Sequence, residues 1–252
     1  ACKADVHGVR APSACHKGPW GALSVARRTP KPSPMQTRLA APSLMLGNLI
    51  VGVCVLAPAG MLNELATGLD ASIGQTGLLV TYGAVVLCFG SPLVSWLTSR
   101  MDRRTLMAGI LLLLAMTNVA SALAPNYTAL LIVRILMLAA AAPFTPQAAS
   151  TIALIATPER RAGAIAFVFL GWSLSIAVGL PLIGFLADRY GWRVSYGVLA
   201  AAAALIFVLV WFGLPAALRG APVSLASWGA IFRNRRILLL LLRGGPQPSV
   251  DV

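Results

Sequence analysis

Long stretches without any charged residue alternate with short polar segments along this chain. The charge-free stretches are residues 39–63, 71–99, 105–133, 135–158, 162–187 and 194–218. Each is longer than the roughly 20 apolar residues that a helix needs to cross the hydrocarbon core of a membrane. Because lipid offers the backbone no hydrogen-bond partners, and because the alternation of a barrel strand is absent, these segments are expected to be helices. The pattern therefore predicts an all-α membrane protein with six transmembrane helices.

The six predicted helices form one transmembrane bundle over residues 35–218. They are placed near residues 41–62, 75–98, 105–124, 128–156, 163–187 and 195–217. Another apolar run begins at Ile237 and stops after Leu242. Six helical residues rise only about 9 Å, which is too short to span. Residues 219–252 are therefore predicted to be a cytoplasmic linker followed by an aborted seventh helix.

Arginine and lysine are distributed unequally between the two sets of connections. One set contains the N-terminal tail, residues 100–104, Arg160, Arg161 and residues 219–236. The opposite set has Arg189 and Arg193 together with the acidic residues Glu64, Asp70 and Asp188. Because basic residues are retained on the cytoplasmic side, the N-terminus is predicted to be cytoplasmic.

Residues 1–34 differ from the rest of the chain. They are rich in Pro, Ser, Arg, Ala and Gly and contain no apolar run of the kind that makes a signal peptide. The composition predicts a basic, disordered tail. The alternative is that Met35 is the natural start and that the upstream residues are not native.

The overall composition agrees with a membrane protein. Hydrophobic residues make up 58% of the chain and charged residues 11%, whereas soluble domains have about 25% charged residues. The net charge of +13 lies in the tails and connections rather than on one helix face, so no nucleic-acid partner is predicted. The four cysteines and two histidines lack zinc-site or disulfide-framework spacing, and no cofactor is predicted. Neither a catalytic cluster nor a Walker loop occurs, so the chain is predicted not to be an enzyme.

The connection after the second predicted helix combines a glycine, an acidic residue and a basic cluster. The residues are Gly90, Arg100, Asp102, Arg103 and Arg104. This segment resembles the signature loop of the major facilitator superfamily, in the form found in bacterial sugar-efflux and drug-efflux permeases. The acidic residue that usually ends helix two is replaced here by Thr98 or Ser99.

The resemblance implies that this loop takes part in a charge lock between two domains. Arg103 and Arg104 can face the C-terminal end of a neighbouring helix, whose dipole favours cations, and Asp102 can hold an arginine in place. The alternative interpretation is topology-setting charge alone.

The fifth predicted helix has small residues at regular spacing. Gly171, Ser175 and Gly179 share one helix face, and Pro181 and Gly184 follow. The segment resembles the Gly/Pro motif of antiporters in the same superfamily. Small residues at this spacing allow another helix to approach closely. Packing is one interpretation, and a role in switching the cavity between two faces is what the resemblance implies.

Arg134 lies well inside a predicted helix, where ionisable residues usually face the bundle interior. The family often has an arginine here in an Arg-x-x-Gln-Gly pattern, although Met137 and Leu138 replace the last two residues in this chain. The alternative is that Arg134 snorkels outward. Glu64, at the outer end of the first helix, is a hypothetical proton-sensitive partner of Arg134, and the alternative is a solvated loop carboxylate.

The resemblance covers about residues 36–242. It implies the N-terminal half of a secondary transporter in the bacterial inner membrane, with efflux of a small solute by alternating access coupled to protons. The implied partners are the lipid bilayer, a small-molecule substrate, protons, and either the missing C-terminal six-helix half or a self-associated copy. The competing interpretation is a six-helix membrane scaffold or assembly protein that does not transport.

Overall fold

The computed structural model describes residues 34–98 and 101–215 of the chain. Within these residues the backbone is helical, with short turns and no strand. This confirms the predicted all-α class. Apart from Pro34, the predicted tail lies outside the described residues, as do Arg100 and the predicted linker with its seventh helix at 219–252.

The described residues form nine α-helices. They are α1 (Pro34–Gly60), α2 (Leu62–Gly68), α3 (Ile73–Leu97), α4 (Arg103–Ala122), α5 (Tyr127–Ala141), α6 (Phe144–Ile155), α7 (Arg161–Leu174), α8 (Leu180–Tyr190) and α9 (Trp192–Gly213). A 3₁₀ turn at Pro158–Arg160 precedes α7, and a π-helical turn at Ser175–Gly179 joins α7 to α8.

Five helical segments in the described residues are long and apolar enough to cross a membrane. They are Leu39–Gly60, Arg103–Ala122, Tyr127–Ile155, Pro158–Tyr190 and Trp192–Gly213. A sixth is obtained if α2 and the first part of α3, which meet at an angle of 119°, are counted as one bent span. The described residues thus contain five or six candidate spans, and the number of six and the bounds of each span stay predictions of the sequence.

The connection between the first two predicted spans is not the simple loop that the charge pattern indicated. Residues Leu62–Gly68 form the short helix α2. The following helix then starts at Ile73, because Ser72 and Gln75 form a reciprocal capping box. The Ser72 hydroxyl accepts from the Gln75 N–H at 3.1 Å, and the Ser72 N–H donates to the Gln75 side chain at 3.0 Å.

Two predicted helices are interrupted. The helix predicted at 128–156 is two helices in the structure, because α5 ends at Ala141 and α6 begins at Phe144. Pro143 lies at this junction and has no N–H to continue the hydrogen-bond ladder. The segment predicted at 163–187 contains the π-helical turn just before Pro181.

The core is built around α1, α4 and α9. In the described residues α4 packs along α9, α1 packs against α7 and α9, and α5 packs between α3 and α4. Lipid tails are as apolar as the side chains, so close packing and buried hydrogen bonds hold such helices together. Large apolar side chains such as Phe185 and Phe212 are about two-thirds exposed, at 63% and 68%. They form the outer faces that a membrane covers.

Candidate functional site

Arg134 of α5 is buried in the bundle, with 1% of its surface exposed. Its Nη1 group donates to the Cys54 carbonyl at 2.7 Å, and its Nη2 group donates to the Val55 carbonyl at 2.9 Å. Both carbonyls belong to α1. The guanidinium therefore joins two spans and does not snorkel outward.

The free carbonyl on α1 has a cause in the sequence. A helical carbonyl normally accepts from the N–H four residues later, and Pro58, four residues after Cys54, has no N–H. The Cys54 carbonyl is consequently left without its helical donor in an apolar environment. Arg134 supplies the missing donor from a different helix.

A second buried polar side chain lies beside this pair. The Asn118 side chain of α4 is fully buried, and its Nδ2 donates to the Leu114 carbonyl at 2.7 Å. The same group lies 3.4 Å from the Cys54 sulfur and 3.8 Å from the Met137 sulfur. We call Cys54, Asn118, Arg134, Met137 and Tyr196 the polar cluster, because the fully buried Tyr196 of α9 lies near Arg134 and Cys54.

The polar cluster contains buried atoms without a partner. Asn118 Oδ1, Arg134 Nε and the Tyr196 hydroxyl make no hydrogen bond in the described part of the protein. An unsatisfied buried polar group costs on the order of 1–3 kcal/mol. The cluster thus retains one acceptor, one donor and one hydroxyl that can act as either, at the place where α1, α4, α5 and α9 meet.

The structure does not bring Glu64 to Arg134. Glu64 lies in the first turn of α2, half-buried, where a carboxylate is favoured by the helix dipole. No ion pair joins it to Arg134 or to another described residue. The positive charge of Arg134 is offset by the two carbonyl dipoles of α1 instead. Sequence reasoning missed this arrangement, although Pro58 was a signal for it.

The signature-loop residues lie around the start of α4. Asp102 caps this helix by accepting from the Thr105 N–H at 3.5 Å, and its other oxygen is buried without a partner. It forms no ion pair with a described residue, so the arginine partner expected for it is not among residues 34–98 and 101–215. Gly90 lies in α3, where an added Cβ would meet Ala139 of α5 at 3.9 Å.

The two arginines of this loop have different surroundings. Arg104 lies over the ring of Trp211, 4.6 Å from its centre, close to the C-terminal end of α9. This is the kind of position expected from the helix dipole. Arg103 is 8% exposed and makes no side-chain hydrogen bond or ion pair with any described residue.

The small residues of the fifth predicted span all face α1. A Cβ on Gly171 would collide with the Met45 carbonyl, and one on Gly179 would collide with the Val53 side chain. A Cβ on Gly184 would lie 2.7 Å from the Gly60 carbonyl oxygen. We call this contact between α1 and α7–α8 the glycine seam.

A π-helical turn lies within the glycine seam, between Gly171 and Gly184. Ser175 opens this turn, is fully buried and donates to the Trp172 carbonyl at 2.6 Å. Pro181 is exposed at the start of α8. In a π-helical turn each carbonyl accepts from the N–H five residues later. Such a turn can therefore accommodate a carbonyl to which a following proline cannot donate.

The described residues contain no group of three or more His, Cys, Asp or Glu side chains that could hold a metal ion.

Most of the chain fits a known protein family. The model described as Major Facilitator Superfamily matches residues 44–245, most of the chain. The chain belongs to the major facilitator superfamily. The predicted family is therefore confirmed, and the spans described above are those of an integral membrane protein of the transporter class.

Relatives in this superfamily include transporters of bacteria. The chain is 30% identical over 200 residues to the inner membrane transport protein YdhP of Escherichia coli K12, covering 79% of the chain and 51% of YdhP. It is 30% identical over 170 residues to a "Probable sugar efflux transporter" of Helicobacter pylori G27, covering 68% of the chain and 44% of that protein. The chain spans about half the length of the curated relatives it matches.

Solved structures of the superfamily have the same fold. A bacterial homolog of the human lysosomal transporter Spinster, inward-facing and unoccupied, aligns with a TM-score of 0.62 at 20% identity. The alignment covers 75% of this chain and 45% of that one. The peptide transporter POT in complex with sulfate aligns with a TM-score of 0.63 at 17% identity, covering 84% and 46%. At these identities the likeness shows the fold alone.

Proposed function

We propose that this chain is the N-terminal six-helix half of a secondary transporter that exports a small solute by alternating access, coupled to protons. The proposed setting is the bacterial cytoplasmic membrane, with the N-terminus on the cytoplasmic side. Membership of the superfamily supports the transport class, and the named sugar-efflux relative supports the direction. The observation that carries the proposal is the buried Arg134 held by two α1 carbonyls.

A charged side chain inside a membrane span is costly, and such residues are typical of functional sites. A scaffold would need only apolar packing between α1 and α5. Arg134 instead carries a charge that two backbone dipoles offset and that no described carboxylate neutralises. A negative group that approaches Arg134 during transport would therefore compete with the α1 carbonyls and change how α1 is held. The arrival of a negative group at Arg134 would in this way be linked to the position of α1.

The glycine seam supports the alternating-access part of the proposal. Along the seam α1 meets α7 and α8 at backbone distance, without interlocking side chains at Gly171 and Gly184. Helices that meet through small residues can shift against each other with few rotamer changes. We propose that α1 moves along this seam when the cavity changes its open side.

Proton coupling requires an acid that gains and loses a proton during the cycle. The described acidic residues are Glu64, Asp70, Asp102, Glu159 and Asp188, and all of them lie at helix ends or turns. Glu64 lies in the first turn of α2, the helix that follows α1, and α1 is the helix that Arg134 holds. We therefore propose Glu64 as the proton-sensitive group, acting through α1 rather than by direct contact with Arg134.

A substrate site between two halves needs a second wall. The proposed partner is a C-terminal six-helix half, or a second copy of this chain in its place. A chimera tests this proposal. The chain replaces the first half of YdhP, and efflux from an Escherichia coli strain lacking YdhP is measured with a panel of sugars and drugs.

The proposal expects efflux by the chimera, loss of efflux in the Arg134→Gln chimera, and no efflux by the chain expressed as a monomer. If the chimera is inserted and folded but exports nothing that intact YdhP exports, the transporter assignment is wrong and the scaffold interpretation is favoured. Transport by the monomeric chain would contradict the half-transporter form.

A further inference from the structure

Two arginines join α4 and α9 at opposite ends of these helices. Arg104, in the first turn of α4, lies with its guanidinium carbon 4.6 Å from the centre of the Trp211 ring, in the last turn of α9. Arg193, in the first turn of α9, donates from Nη2 to the Ala124 carbonyl at 3.2 Å. The Ala124 N–H in turn donates to the Ser121 carbonyl in the last turn of α4. We call these contacts the Arg104 clasp and the Arg193 clasp.

The two clasps lie at opposite faces of the membrane. Both α4 and α9 are candidate spans, and they run antiparallel because the start of each lies beside the end of the other. The 20 residues of α4 rise about 30 Å, which is the thickness of the hydrocarbon core. Tryptophan rings and arginine side chains are typical of the two interfaces that bound this core.

Each arginine is stabilised by the neighbouring helix rather than by its own. A cation in the first turn of a helix is disfavoured, because the dipole of that helix is positive at this end. The end of the antiparallel neighbour, where the dipole is negative, lies beside it. Arg193 also lies 4.3 Å above the Trp192 ring. When the helix ends separate, each arginine therefore loses the partner that compensates its position.

Few polar contacts other than the clasps connect the two helices. In the described residues α4 packs along α9 more extensively than any other two helices pack. The Arg193 bond is nevertheless the one hydrogen bond between α9 and residues 103–124 in this part of the chain. In lipid no hydrophobic force drives apolar helices together. Directional contacts at the ends are therefore what prevents the ends from separating.

We infer that the two clasps make α4 and α9 one rigid unit that does not open at either face of the membrane. A cavity that opens at one face requires helix ends to separate at that face. The α4–α9 unit is held at both faces, whereas α1 meets α7 and α8 through the glycine seam. If α1 moves as proposed above, it moves against this unit. The rigid unit is a property of the fold and does not require transport, so it can be disproved while the proposed function stands.

Four arginine variants separate the clasps from the effect of charge. Arg104→Gln and Arg193→Gln each remove one clasp. Arg160→Gln and Arg189→Gln are the matched controls, because both side chains are exposed, lie outside α4 and α9 and make no hydrogen bond with a described residue. Trp211→Leu removes the ring of the Arg104 clasp and keeps the charge. It also provides the test at this end if Arg104→Gln does not fold.

Pairs of spin labels measure the separation of the helices at each end. Val119→Cys with Val198→Cys reports on the end with the Arg193 clasp, and Thr105→Cys with Leu209→Cys reports on the other end. All four positions are exposed. Cys54 is retained because it is buried. The other native cysteines are first removed as Cys2→Ser, Cys15→Ser and Cys88→Ser.

Pulsed electron paramagnetic resonance on the full chain in nanodiscs gives the distances. Without a clasp substitution, and in both charge controls, each end should show one narrow distance. Arg193→Gln should lengthen the distance at its own end by roughly 1–2 Å, the usual size of a helix shift, and leave the other end unchanged. Arg104→Gln and Trp211→Leu should do the reverse.

Three results would overturn the inference. Unchanged distances at both ends in the clasp variants would show that apolar packing alone holds α4 against α9. Lengthening at both ends in a single variant would show a general loosening of the bundle. Lengthening in Arg160→Gln or Arg189→Gln would assign the effect to the loss of any positive charge.

Discussion

Gly171 of α7 lies directly against the backbone carbonyl of Met45 in α1. No side chain separates the two helices at this point, and the neighbouring N–H of Leu49 is almost as close to the position of the missing Cβ, at 2.9 Å. The contact is between backbones, so neither helix can yield by rotating a side chain. Residue 171 therefore has to be glycine if α1 and α7 are to keep this distance.

The first prediction concerns this contact. Gly171→Ala should destabilise the protein by about 1–3 kcal/mol, the usual cost of overpacking, because the new methyl group forces α1 and α7 apart. Gly163→Ala in the same helix is the control, since a Cβ there meets nothing within 4 Å. Thermal unfolding in detergent compares the two variants. Equal midpoints would show that α1 and α7 do not meet through their backbones.

The second prediction concerns Arg134 and Pro58. Arg134→Met should destabilise the bundle, because the Cys54 carbonyl then loses its donor in an apolar environment. In a Pro58→Ala background the new N–H at position 58 can serve that carbonyl, so the same substitution should cost less. A double-mutant cycle measured by unfolding in mixed micelles should give a coupling of roughly 0.5–3 kcal/mol. If the free-energy effects of the two substitutions are strictly additive, Pro58 does not create the free carbonyl that Arg134 binds.

The third prediction concerns a buried amide that connects three helices. Asn48 of α1 accepts from the Thr145 hydroxyl of α6 at 2.7 Å and donates to the Val168 carbonyl of α7 at 3.1 Å. Asn48→Ala should cost roughly 0.6–2 kcal/mol for each lost interhelical bond. Asn63→Ala, at an exposed position of α2, should unfold like the wild type. If both variants lose a similar free energy of unfolding, the effect comes from the removal of any asparagine side chain and not from the connection that Asn48 makes.

The fourth prediction concerns proton coupling and rests on the proposed function. In the chimera with YdhP, Glu64→Gln should make efflux independent of pH, because the variant cannot take up or release a proton in the first turn of α2, next to α1. Glu159→Gln, in the turn before α7, should leave the pH profile unchanged. Efflux is measured from pH 5 to pH 9 in proteoliposomes. An unaltered profile in Glu64→Gln would remove this carboxylate from the coupling mechanism.

The sequence alone was sufficient for the class of fold. Charge-free stretches longer than a membrane span can satisfy their backbone only as helices, and most of the described residues in each such stretch are helical. The family could also be predicted, because Gly90, Asp102, Arg103 and the small residues of α7 and α8 occur in one order along the chain. These features are defined by the order and spacing of residues along the chain, so they can be recognised without the tertiary structure.

The partners of the buried polar groups were decided only by the tertiary structure. The sequence predicted Glu64 as the partner of Arg134, because both were expected on the outer side of the membrane. In the folded chain Arg134 donates instead to the Cys54 and Val55 carbonyls, about 80 positions away along the sequence. Backbone carbonyls do not appear in a pattern of charges. Likewise the break at Pro143, the π-helical turn and the bend between α2 and α3 depend on how neighbouring helices pack. In lipid the sequence determines which segments become helices, but contacts between distant helices determine where each one bends and which polar groups it satisfies.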